Sequence, residues 1–235
     1  MLKIVNLWKK YKKEFVLKDI NLNLQKNSSL ALVGESGAGK TTLSRLILGI
    51  DTPTKGNINI DKNSMSVVFQ DYRNSVNPLF TIIEILKEPF WLRKITFSNE
   101  KLEDLLKTFN LSKSLLDKYP HELSGGQLQR VCILRAILTK PSFLILDEAF
   151  SALDVSTKSQ VVTYIKSLKK EQNLTIFLIT HDLEVATSLC ENIKILFKGE
   201  VVESLKTKCL GQAQNQYTKL LIDSIIPLKI KETNE

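Results

Sequence analysis

Ser29-Leu30-Ala31-Leu32-Val33-Gly34-Glu35-Ser36-Gly37-Ala38-Gly39-Lys40-Thr41-Thr42-Leu43 joins an apolar run, a glycine-rich loop and the start of an amphipathic segment without a break. The run from Ser29 to Val33 predicts a strand, and Lys40 to Leu48 predicts a helix. Between them, glycine permits the sharp dihedrals and close backbone approach that let the N–H groups of Gly34, Glu35, Ser36, Gly37, Ala38 and Gly39 wrap a polyphosphate. The helix adds its positive N-terminal end. In this pattern Lys40 supplies a point charge for the β- and γ-phosphates and Thr41 a hydroxyl for magnesium, with Thr42 next in the same first turn. The pattern arises by chance in roughly one chain in a hundred of this length, so it needs support from elsewhere in the sequence.

That support is ordered along the chain. Phe143-Leu144-Ile145-Leu146 reads as a buried strand that ends in Asp147 and Glu148. Such a strand delivers its last carboxylate to the sheet edge where α/β folds bind ligands. Asp147 is therefore placed to hold the metal and Glu148 to act as general base on an attacking water. Gln70 ends the strand Val67-Val68-Phe69 and can sense metal and water; His181 follows the strand ending at Thr180 and can contact a γ-phosphate. Leu123-Ser124-Gly125-Gly126-Gln127 opens a helix continuing to Leu138, so Ser124, Gly125, Gly126 and Gln127 form a second anion site.

Around these motifs, Met1 to Leu7 and Phe15 to Leu24 alternate like strands, and further strands fall at Asn57 to Ile60, Ser66 to Phe69, Leu174 to Thr180 and Ile193 to Phe197. Helices are expected at Val155 to Lys170, Leu183 to Cys190 and Gln216 to Ile226, with a hairpin at Lys198-Gly199-Glu200. Between about Asp71 and Lys140 the period turns helical, an insertion in an α/β core whose sheet is mainly parallel. The tail from Lys229 to Glu235 is polar.

Composition sets bounds. With 235 residues and 43% hydrophobic residues the chain can fill a core. No apolar stretch reaches the roughly 20 residues that cross a bilayer, and the first residues lack a cleavable leader pattern, so a cytosolic location is expected. Three cysteines and two histidines without ligand spacing read as reduced thiols and no metal cluster. The net charge of +8 comes from scattered lysines without aromatic platforms, and no nucleic-acid partner is assigned.

Taken together, these motifs resemble the ATP-binding subunits of ABC transporters. The resemblance covers domain 1–228, a P-loop NTPase core with an antiparallel β subdomain and the helical subdomain about 71–140. It implies ATP and Mg2+ as ligands, with Thr41, Gln70 and Asp147 on the metal. It also implies a head-to-tail dimer with a second, similar ATP-binding subunit, each LSGGQ element serving the other subunit's nucleotide, with Asp154 at that interface. Tyr11 matches the adenine-stacking position, with Trp8 its rival, and either ring could be core. Val68 to Tyr72, Ser75 to Pro78, Glu84 to Pro89, Leu123 to Cys132, Asp147-Glu148-Ala149 and Gln216 to Leu221 are similar to the oligopeptide and nickel importer branch, nearest to its nickel-import subunits. That branch implies two membrane permease subunits, an extracytoplasmic solute-binding protein acting indirectly, and peripheral attachment to the cytoplasmic face of the membrane. Leu79, Phe80, Ile83 and Phe90 are candidates for the permease groove.

Three features depart from the pattern. Gln25 to Ser29 lacks the usual Gly-Glu turn, although Asn27 tolerates a left-handed turn. Phe150 replaces a smaller residue, and without the cysteine-rich stretch of some peptide importers no iron–sulfur cluster is expected. The alternatives are a di- or oligopeptide importer, an ABC ATPase acting on DNA or the ribosome, and a nucleotide-binding regulator without turnover. Against the last two stand the missing coiled-coil insertion and tandem domain, and the intact Glu148 and His181.

Overall fold

A computed structural model describes residues 1–61 and 64–224. In chain order these form β1 (Leu2–Tyr11), β2 (Glu14–Leu24), β3 (Ser29–Val33), α1 (Lys40–Leu48), β4 (Lys55–Ile60), β5 (Met65–Val68), α2 (Ile82–Arg93), α3 (Asn99–Thr108), α4 (Gly125–Leu138), β6 (Phe143–Asp147), α5 (Val155–Gln172), β7 (Thr175–Thr180), α6 (Leu183–Leu189), β8 (Asn192–Phe197), β9 (Glu200–Lys206) and α7 (Gln216–Asp223). They divide into two compact units, one built from residues 1–61 and those from 177 onward, the other from the residues up to 176.

The first unit contains an antiparallel sheet in the order β2-β1-β4. Leu2 and Ile4 face the core opposite Leu24 and Leu22, and the register then slips before Leu7 pairs with Ile20. The slip has a local cause: Asn6 and Asp19 both adopt left-handed φ, 46° and 47°, and Asn6 Nδ2 donates to Asp19 Oδ1 at 2.8 Å. Each is a bulge that returns the next apolar side chain to the buried face. In the second sheet β3 runs parallel to β8, and β8 is antiparallel to β9. Every residue of β3 is buried, as its unbroken apolar run predicts. Asn27, at φ 61°, makes the left-handed turn before β3. Lys198 and Gly199, at φ 48° and 82°, make the two-residue hairpin between β8 and β9.

In the second unit β5 pairs in parallel with β6, Val68 opposite Leu146. The helices α2, α3 and α4 fall inside the stretch read as helical. Residues 71–81, however, are not helix. There Asn74 Nδ2 donates to Asp71 Oδ2 at 2.7 Å, Ser75 Oγ to the Tyr72 carbonyl at 2.8 Å and the Leu79 N–H to Asn77 Oδ1 at 3.0 Å. These side chains offer the backbone an alternative to a helix, which starts only where Thr81 and Glu84 form a capping box. Once started, α2 runs through Pro89 to Arg93.

Two further expectations are corrected. Phe90 does not line an open groove: it is 6% exposed and packs edge-on against Phe97 at 5.0 Å. Cys190 lies just beyond α6, in extended conformation, where a helical position was expected. No disulfide joins the three cysteines, and the described residues hold no group of three or more His, Cys, Asp or Glu side chains suited to a metal. Among the described residues no helix is long and apolar enough to cross a membrane. Ile225, Ile226 and the 229–235 tail lie outside the described residues.

Candidate functional site

In the first unit β3 feeds directly into the loop from Gly34 to Gly39. A Cβ at Gly34 would stand 2.3 Å from the Leu196 carbonyl oxygen, so only glycine lets β3 turn this close to the end of β8. Gly39, at φ 108°, caps α1 without a side chain and leaves the first-turn amides facing the loop, with no acidic residue in that turn. Lys40 is 7% exposed, and its Nζ donates to the carbonyls of Gly34 at 2.7 Å and Glu35 at 3.1 Å. These two carbonyls hold the buried ammonium against its own loop.

The loop is braced from behind. The Gly199 N–H donates to the Ala38 carbonyl at 3.1 Å, and the Gly199 carbonyl accepts from the Lys18 N–H at 2.8 Å. Tyr217, on α7, accepts the Glu35 N–H at 3.2 Å.

At the end of β1, the exposed Tyr11 donates its hydroxyl to Asp51 Oδ2 at 2.7 Å, and Arg45 Nε donates to the same oxygen at 2.8 Å. Hydrogen bonds from Arg45 and then Tyr11 lower the Asp51 carboxyl to about 2. The Lys9 ammonium lies 4.6 Å from the Tyr11 ring centre, while Trp8 is engaged edge-on with Phe15 at 5.4 Å. His181 is exposed directly after β7, next to Asp182, whose Oδ1 caps α6 through the Glu184 and Val185 amides.

In the second unit β6 ends at Asp147, 3% exposed, followed by Glu148, 7% exposed and left-handed at φ 48°. A non-glycine residue there costs on the order of 1 kcal/mol and persists only where its surroundings fix it. The fixing group is Gln129 on α4, fully buried. Its Nε2 donates to the Glu148 carbonyl at 3.3 Å and its Oε1 accepts the Ala152 N–H at 2.8 Å.

Ser124 caps α4. Its Oγ accepts the Gln127 N–H at 3.2 Å, and Gln127 Oε1 accepts the Ser124 N–H at 2.9 Å. The polar side chains expected at a second anion site are thus engaged with each other, leaving the Gly125 and Gly126 amides at the helix start. Gln70 is exposed in the loop beyond β5, two residues past the strand it was expected to end. Asp154 caps α5, its Oδ1 accepting the Thr157 N–H at 2.9 Å. Hydrogen bonds from Thr157 hold its carboxyl below the ordinary range.

The ABC transporter family signature matches residues 17–151, which span both the Gly34 to Gly39 loop and the Asp147-Glu148 strand end. The chain belongs to the ABC transporter family. It is 35% identical to the metal-staphylopine import system ATP-binding protein CntF of Staphylococcus aureus (strain Mu50 / ATCC 700699), over 95% of this chain and 98% of that protein. It is 37% identical to the nickel import ATP-binding protein NikE of Escherichia coli (strain K12), over 83% of this chain and 80% of that protein. Among solved structures, the dimeric post-hydrolysis state of the ATP-binding cassette MJ0796 bound to ADP and Pi matches with a TM-score of 0.80 and 31% identity, covering 88% of this chain and 99% of that one. CbiO1 from Clostridium perfringens, part of the ABC transporter complex cbiONQ, matches with a TM-score of 0.73 and 27% identity, covering 90% of each chain.

Of the residues expected at the site, the Gly34 to Gly39 loop with Lys40, Thr41 and Thr42, Tyr11 and His181 belong to one unit and Gln70, Ser124 to Gln127, Asp147 and Glu148 to the other. Sequence reasoning did not assign site roles to Gln129, Gly199 and Tyr217. Gln129 follows the LSGGQ element by two residues, a proximity that hinted at a role. Gly199 was legible only as a hairpin residue and Tyr217 only within the Gln216 to Leu221 stretch, since the residues they brace lie far away in sequence.

Proposed function

We propose that this ABC ATPase powers a membrane importer for nickel or a small metal complex. The observation that carries the ATPase chemistry is Glu148, set in a strained turn immediately after a buried strand that ends in a carboxylate. In this reading Lys40 and the loop amides, except that of Glu35, which donates to Tyr217, hold the β- and γ-phosphates, Tyr11 stacks on adenine, His181 contacts the γ-phosphate, and Glu148 takes the proton from water. Thr41, Gln70 and Asp147 would hold Mg2+: a hydroxyl, an amide and a carboxylate are the hard oxygen donors that this ion takes. Bound there, it neutralises charge on the phosphates.

Two such cassettes sandwich the nucleotides, Ser124 to Gln127 serving the facing subunit, and the partner is a similar, non-identical ATPase. Support for the pairing of two cassettes, though not for their being different, comes from the dimeric MJ0796 cassette. Two permease subunits complete the assembly at the cytoplasmic membrane face, with a solute-binding protein acting through them. Leu79 at 81% exposed, together with half-buried Phe80 and Ile83, offers the permease an apolar docking surface.

The metal assignment draws on the relatives named for nickel and metal-staphylopine import. Uptake in cells carrying Lys40→Ala tests it. Nickel accumulation at chelator-limited levels falls, while growth on an essential amino acid supplied as a di- or oligopeptide continues. Normal nickel content with lost peptide use moves the protein to peptide import, and loss of neither refutes both.

A further inference from the structure

The phosphate loop is gripped at one peptide unit from two sides. The carbonyl of Gly34 accepts from Lys40 Nζ at 2.7 Å, and the N–H of Glu35, on the same peptide, donates to the Tyr217 hydroxyl at 3.2 Å. Tyr217 comes from α7, far along the chain, and its placement is built rather than incidental. Its ring stacks on Phe197 at 4.1 Å with an interplanar angle of 29°. Phe197 follows Leu196, whose carbonyl is the atom that forbids a side chain at Gly34. The Asn215 side chain accepts the Tyr217 and Thr218 N–H groups, at 2.9 Å and 3.4 Å, and so starts α7 at this point. From β9, Glu203 Oε1 accepts the Gln214 N–H at 2.7 Å and ties the approach to α7.

We propose that Tyr217 is a positioning residue for nucleotide binding, holding the first peptide of the phosphate loop while Lys40 exchanges loop carbonyls for phosphate. The physical logic is one of exchange. An ammonium has three N–H donors, so turning two of them onto the β- and γ-phosphates leaves at most one for the two loop carbonyls, and the hold on the Gly34-Glu35 peptide weakens at the moment its shape matters most. The hydroxyl of Tyr217 binds the opposite edge of that peptide and is not a phosphate ligand, so its grip survives the exchange. A loop held in place beforehand gives up less conformational freedom on binding, and affinity rises accordingly. One neutral hydrogen bond of ordinary net strength then corresponds to an affinity change of about two- to tenfold.

The inference rests on residues 34–41 being the ATP phosphate loop and is independent of the transported solute. Its test uses the full chain carrying Tyr217→Phe, which keeps the stack on Phe197 and deletes only the hydroxyl, with Tyr217→Leu removing both. ATP and ADP affinities are measured by calorimetry, KM and kcat in the assembled transporter, and hydrogen exchange over the peptide covering residues 34–39. The expected result for Tyr217→Phe is an ATP affinity about two- to tenfold weaker, KM raised in proportion, kcat kept, and faster exchange in the loop peptide. Tyr217→Leu shows the larger loss. A merely structural role would lower the melting temperature and the folded fraction with affinity and KM unchanged, and that result overturns the proposal. Lys40→Ala run alongside separates the causes: if it loses ATP while Tyr217→Phe binds as wild type, the Tyr217 role fails alone. If the wild-type chain binds no ATP, the phosphate-loop reading fails with it.

Discussion

Replacing Gln129 by leucine tests whether the left-handed turn at Glu148 depends on its brace. The side chain is fully buried, and leucine fills nearly the same volume, so packing is largely kept. What disappears are the donor to the Glu148 carbonyl at 3.3 Å and the acceptor for the Ala152 N–H at 2.8 Å, together with a 3.5 Å contact to Ser151 Oγ that is too long to add to the sum. Two neutral hydrogen bonds contribute about 1 kcal/mol each, and a carbonyl left buried without that donor adds a share of its desolvation cost, giving about 2–3 kcal/mol in all. The Glu148 carbonyl still accepts from the Ser151 N–H at 3.3 Å, which keeps the figure at the lower end of the range for such losses. For a chain of this size that is about 5–10 °C in melting temperature. The strained φ at Glu148 is also free to relax, so hydrolysis falls by about tenfold or more at a temperature where the variant is still folded, because a misplaced base loses its positioning advantage. Thermal denaturation and ATPase turnover of the assembled complex are the assays. A melting temperature within 1–2 °C of wild type, with unchanged turnover, refutes the brace.

Glu148→Gln leaves the phosphate loop intact and removes the proposed base; ATP binding is retained while hydrolysis in the assembled transporter falls by about 100-fold or more, and wild-type turnover would exclude Glu148 from that role. The Asp51 carboxyl sits at about 2 because Arg45 and Tyr11 bond it in the folded chain. Its stabilising contribution is therefore complete above the ordinary carboxylate value of about 4 and is lost as pH falls toward 2. Titration followed by carbon-detected NMR shows a midpoint near 2, which Arg45→Ala raises toward 4; no movement refutes the ion-pair origin.

The elements set by near neighbours were legible in the sequence. The Lys40–Leu48 helix and the Ser29–Val33 strand each follow from residues within a few positions of one another. The bulges at Asn6 and Asp19 were not, because alternation breaks there only once two strands are set in register. The turns of residues 71–81 were hidden by apolar residues spaced as in a helix, while asparagine and serine side chains decided the backbone. The candidate site divides the same way. The glycine loop and the Asp147-Glu148 strand end announce themselves, whereas Gln129, Gly199 and Tyr217 act on residues brought near only by folding. Phe90 misled for a related reason: which side of α2 is covered depends on Phe97, beyond the helix.

The Lys198-Gly199 hairpin has a practical consequence. Tips of two-residue hairpins are where fluorescent reporters, affinity tags and new chain termini are usually placed, because little leans on them. Here the tip is a buttress. A Cβ at Gly199 would stand 2.3 Å from the Val16 carbonyl, and the Gly199 amide supports Ala38 in the glycine loop. A reporter inserted there would silence the motor it was meant to observe. The exposed connection Lys94-Ile95-Thr96, between α2 and α3, is the better place to attach one.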